Sequence, residues 1–144
     1  MANVIPDSFK TDLLKGTFNF DSSGGSTFKL ALYTDISGLT TSTTAFTTSN
    51  EVGTSGTSYS SGGNTLTNNG VAIASNIAFV DFADLTFSSV TLSAVGALIY
   101  KSGGSNEAVL VLDFGGTKTA TNGDFVVQFP TASNSAAIIR LGNA

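Results

Sequence analysis

Ser93-Ala94-Val95-Gly96-Ala97-Leu98-Ile99-Tyr100 and, after a short gap, Ala108-Val109-Leu110-Val111-Leu112-Asp113-Phe114 decide the fold class of this 144-residue chain. Both runs are rich in aliphatic and β-branched residues, and their apolar side chains fall on both parities. A strand with one wet face alternates, whereas a strand covered on both faces does not. The polar connection Lys101-Ser102-Gly103-Gly104-Ser105-Asn106-Glu107 is short enough to close a hairpin. The pair reads as the central hairpin of an all-β domain, and the rest of the chain supplies strands to pack around it.

Composition agrees. Hydrophobic residues make up 41% and eleven residues are Phe, so a real core is available despite only 11% charge. Ser and Thr together supply 39 residues and Gly 16, which points to many short strands joined by turns. The chain has no Cys and no His. That removes disulfides, thiol nucleophiles, the commonest general base and the usual zinc sites. The six basic residues are scattered and the net charge is −4. No basic patch exists to neutralise a phosphate backbone, so nucleic acid is not an expected partner. No apolar run approaches the ~18 residues of a membrane span. The N-terminus lacks the basic and apolar regions of a signal peptide, so synthesis in a cytoplasm without ordinary secretion is expected.

Taken in order, residues 7–16 predict one short helix, capped by Asp7 or Ser8 and ended by Gly16. Thr17–Phe20 and Thr27–Thr34 alternate and read as a hairpin around Asp21–Ser26. The Thr/Ser/Gly-rich stretch Ile36–Asn64 is anchored only by Leu39, Phe46, Val52 and Tyr59. It is expected either to hide short strands or to be ordered by a partner. Asn68-Asn69-Gly70 reads as a hairpin turn between Thr65–Thr67 and Val71–Ile73. Ile77–Phe82, Asp124–Phe129 and Ala137–Leu141 read as strands. Leu85–Phe87 reads as a short strand or a turn, and Gly115-Gly116 as a break. The expected architecture is a β-sandwich, jelly-roll or immunoglobulin-like, of about eight strands. Residues 1–16 form an N-terminal extension with the short helix, and residues 17–144 the single sandwich domain.

Candidate chemistry is thin. Asp81 and Asp84 in Val80-Asp81-Phe82-Ala83-Asp84 are the closest acidic pair. They read as turn acceptors first, as Ca²⁺ ligands together with Asp113 second, and as a glycosidase pair last. Tyr33, Tyr59 and Tyr100 are candidate sugar-stacking aromatics, with packing at the core edge as the plainer reading. No nucleophile elbow, phosphate-binding loop or dinucleotide fingerprint occurs. The expectation is a non-enzyme without a cofactor. Val4, Ile5, Phe9, Leu13 and Leu14 crowd into a very short segment. Leu14 points away from Phe9 and Leu13, and Val4-Ile5-Pro6 has no evident strand partner. The segment is therefore expected to be an assembly contact.

Several framework motifs recur in a familiar order. They are Leu13-Leu14-Lys15-Gly16, Phe28-Lys29-Leu30-Ala31-Leu32-Tyr33-Thr34, Asn50-Glu51-Val52, Tyr59 before Gly62-Gly63, and Val80-Asp81-Phe82-Ala83-Asp84. Gly96-Ala97-Leu98-Ile99-Tyr100, Leu112-Asp113-Phe114-Gly115-Gly116 and Ala137-Ile138-Ile139-Arg140 follow. Across most of its length the chain resembles a family of small structural proteins of tailed bacteriophages. That resemblance implies a virion component assembled in the host cytoplasm, a homo-oligomer partnered by other capsid or neck proteins. It implies a capsid decoration or cement protein first. The alternative is a neck, tail or fibre component, including a carbohydrate-binding β-sandwich for host recognition.

Overall fold

A computed structural model describes residues 3–143. Met1, Ala2 and Ala144, which the expected boundaries include, lie outside the described residues. Strands hold 46% of the chain and helix 6%, so the protein is all-β with one short helix. The elements run α1 (Asp7–Leu14), β1 (Phe28–Tyr33), β2 (Asn64–Thr65), β3 (Asn68–Ala74), β4 (Ile77–Phe82), β5 (Leu85–Lys101), β6 (Ala108–Val127) and β7 (Ile139–Leu141). They form two antiparallel sheets, ordered β2-β1-β5-β6 and β3-β4-β7, and make a β-sandwich.

The central hairpin is β5 and β6, and it is covered on both faces. Ala97 and Ile99 belong to the main core with Phe28, Leu30 and Leu32 of β1. Leu98 and Tyr100 belong to a second cluster with Ala31, Tyr33, Ile36 and Leu39. This accounts for the missing alternation. The second face is covered by Ile36, Leu39 and Phe46 of the loop that follows β1 and by Val4 of the N-terminal segment.

β5 and β6 are longer than their sequence suggests. Leu85–Phe87 is the start of β5, and Asp124–Val127 is the end of β6. Gly115-Gly116 interrupts pairing without ending the strand. Ala94 pairs with Lys118 and Gly96 with Asp113, so β6 carries three residues more than β5 across this bulge. Bulges let two long strands bend around a core while keeping one partner. Such mergers leave seven strands.

Two expected hairpins are corrected. Thr17–Phe20 forms no strand. Its alternation reflects burial: Phe18 and Phe20 both enter the core, and Phe20 stacks on Phe28 with ring centroids 4.6 Å apart. Asn68-Asn69-Gly70 is no turn either. It begins β3, with Gly70 (φ 99°) at a register shift. The same tolerance of positive φ that suits a turn suits a bulge. The true turn is Ser75-Asn76, whose φ values of 49° and 66° match the two positive angles of a type I′ hairpin.

The stretch 36–63 is ordered by the chain itself. β2 protects only Lys29 and Leu30 on the outer edge of β1. Beyond it the loop takes over. Val52 N–H donates to Leu32 O (2.9 Å) and Thr34 N–H to Asn50 O (2.9 Å). Leu32 N–H donates to Tyr59 Oη (3.0 Å), which in turn donates to the Glu51 carboxylate (2.8 Å). That carboxylate also accepts from Ser61 Oγ (2.7 Å) and Gly62 N–H (2.6 Å). One acidic side chain thus gathers the loop and closes a sheet edge that would otherwise leave buried donors unpaired.

Candidate interaction surface

The N-terminal segment packs on its own sandwich. Val4 bridges Val111, with Val4 N–H to Val111 O at 2.9 Å and Val111 N–H to Val4 O at 2.8 Å. This corrects the expectation that Val4–Pro6 lacks a strand partner. Val4 joins the second cluster, while Ile5 and Leu13 pack against the main core. Phe9 is buried, its ring 4.9 Å from that of Phe18. Four of the five crowded apolar residues, Val4, Ile5, Phe9 and Leu13, are thus packed against the chain's own core clusters. Leu14, 87% exposed at the end of α1, has no such role. The helix begins after Pro6 with no side-chain cap, and Gly16 (φ 80°) follows its end.

A larger apolar surface lies on the three-stranded sheet. Residues directly opposite in antiparallel strands share a face. The register places Val71, Val80 and Ile139 in one row and Ile73, Ala78 and Leu141 in the next, on the same face. Val80 and Ile139 are buried and fix that face as the one turned to the core. Burial then falls off along the same face. Val71 is 54% exposed, Ile73 73% and Leu141 62%. Leu13, Phe20, Val71, Val80, Ile139 and Leu141 line a shallow, almost wholly apolar cavity of about 150 Å³. Leu13, and not Leu14, borders this patch, which the sequence reading did not find. The available signal was Gly70-Val71-Ala72-Ile73-Ala74, an uncharged run with its large side chains on one parity.

The candidate acidic residues act as local acceptors. Asp81 Oδ2 accepts from Asn69 Nδ2 (3.0 Å), and Asp84 Oδ1 from Phe129 N–H (2.8 Å). Asp113 Oδ1 accepts from Gly115 N–H (2.9 Å) within the β6 bulge. Among the described residues no three acidic side chains are grouped to hold a metal ion, so the Ca²⁺ set of Asp81, Asp84 and Asp113 is not brought together.

Asp113 instead shares a shallow groove of about 410 Å³ with Asp35. The Ser37 N–H holds the Asp35 carboxyl below the usual carboxylate range, and the Gly115 N–H does the same for Asp113. A glycosidase acid needs the opposite shift.

The three tyrosines are buried and their hydroxyls are bonded within the chain. Tyr33 donates to Thr47 O (2.6 Å) and Tyr100 to Gly62 O (2.7 Å). Phe46 stacks on Tyr100 at 4.7 Å. None of the three presents a face on which a sugar could stack.

No helix among the described residues is long and apolar enough to cross a membrane. Comparison with protein-family models, curated proteins and solved structures found no match to the chain.

Proposed function

We propose that this protein is a structural component of a tailed-bacteriophage virion, a capsid decoration or cement protein that works through protein–protein contacts. The observation that carries the reading is the apolar face of Val71, Ile73 and Leu141, left open at the end of an otherwise closed core. Large apolar side chains grouped on a surface mark interaction sites. The likeness of the framework motifs to small phage structural proteins supplies the context. A Cys-free chain suits assembly in a reducing cytoplasm followed by exposure outside it. In the groove that Asp35 and Asp113 share, backbone donors hold both carboxyls below the usual range, which disfavours an acid–base pair there.

The test is immunoelectron microscopy of purified virions from the source phage, with antibody raised against the recombinant chain. Label spread over the capsid shell is the expected result. Label confined to neck, tail or fibres would overturn the capsid placement. Virions without label would overturn the structural role.

A further inference from the structure

We propose that the free edge of β3 pairs with the same edge of a second copy of this chain. Two three-stranded sheets then join into one continuous sheet across a two-fold axis. The inference rests on reading the apolar face as an assembly contact, and it names the partner.

β3 lies at the end of its sheet, and among the described residues β4 is its one strand partner. Its first residues are tied down, with Asn68 Nδ2 donating to Phe20 O (2.9 Å) and Gly70 lying against Ser22. Val71–Ala74 is exposed along its length. Edge strands are ordinarily protected by Lys, Pro, a bulge or a covering loop. β3 has no charged residue and no proline, and its one register shift lies at the start.

The strand is complementary to itself. A two-fold axis through Ala72 sets Val71 of one copy opposite Ile73 of the other, and the reverse. These four side chains fall on one face, continuous with Ala78 and Leu141 of each copy. Over Val71–Ala74 the opposite face of β3 carries only Ala72 and Ala74, which allow close approach. A chain of net charge −4 would repel its copy through most surfaces, but β3 brings no charge to this contact. A charged partner would likewise find no matching charge on it. Two four-residue edges and two small apolar patches make an interface at or below the low end of the specific class. The expected product is a reversible dimer that repetition on a particle makes firm.

Sedimentation equilibrium of the full chain tests the self-pairing, with a concentration-dependent shift from one copy to two expected. Ile73→Lys should weaken association at least tenfold without moving the melting temperature, since Ile73 is largely exposed. The absence of cysteine makes a cross-link unambiguous. Opposed residues on antiparallel strands have Cα atoms about 4.5–5.5 Å apart, within disulfide range. Ala72→Cys should oxidise to a covalent dimer, whereas Thr131→Cys, exposed elsewhere, should not.

A chain that stays single at every concentration would overturn the proposal. So would a dimer indifferent to Ile73→Lys, or an Ala72→Cys chain that cross-links no faster than the control. A single-copy chain on labelled virions would sink self-pairing and leave the structural role standing. A dimer absent from virions would do the reverse.

Discussion

Replacing Tyr59 with Phe removes one oxygen from the centre of the loop that closes the edge of β1. The ring keeps its place, buried and 5.8 Å from the ring of Phe87. The Leu32 N–H, which donates to Tyr59 Oη at 3.0 Å, is left in a buried position without an acceptor. An unsatisfied buried donor costs about 1–3 kcal/mol. Glu51 loses one donor but keeps Ser61 Oγ and Gly62 N–H, so the second loss is the smaller. Together the two come to about 2–3 kcal/mol. For a chain of this length that lowers the melting temperature by roughly 6–10 °C. Thermal unfolding followed by far-UV circular dichroism reads the stability. Amide exchange at Leu32 reads the local effect and should accelerate. A fall of less than about 2 °C, with the Leu32 amide still protected, would refute the assignment of Tyr59 and Glu51 as the clasp of this edge.

Gly63 (φ 73°) should resist any side chain, because an added Cβ would lie 1.8 Å from Leu30 O and 2.8 Å from the Ala31 Cα. Gly63→Ala should therefore lose well over about 3 kcal/mol, while Gly103→Ala (φ 98°, open space) loses only the roughly 1–3 kcal/mol of backbone strain. Equal losses in urea unfolding would show that close approach at Gly63 is not the cause.

The buried tyrosines predict lability in alkali. Burial pushes the hydroxyls of Tyr33 and Tyr59 far above their usual value near 10. The unfolded chain releases these protons at about pH 10 and the folded chain retains them, so the folded state binds more protons. Stability present below about pH 10 is then lost as the pH rises above it. Urea midpoints should hold to that point and decline beyond it, with tyrosinate absorbance from Tyr33 and Tyr59 appearing only on unfolding. Ionisation of all three tyrosines near pH 10 in the folded protein would contradict their burial.

The all-β class, the central hairpin and its two-sided burial were legible in the residues alone. They depend on parity and side-chain type, which local sequence carries. The same holds for β1, for β4 and for a C-terminal strand tied into a sheet. Other features needed three dimensions. Phe18 and Phe20 alternate as a strand would, and only the presence of Phe9 and Phe28 shows that the segment is a plug. Asn69-Gly70 signals a positive φ, but whether that angle makes a turn or a bulge depends on whether β4 is there to pair through it. Val4 found its partner Val111 across the whole chain, a contact no local pattern encodes. The apolar surface is the same kind of case. Val71, Ile73 and Leu141 look like core residues in sequence, and by register they face the core. They are exposed nonetheless, because burial depends on what distant parts of the chain set against a face, which the strand's own pattern does not encode.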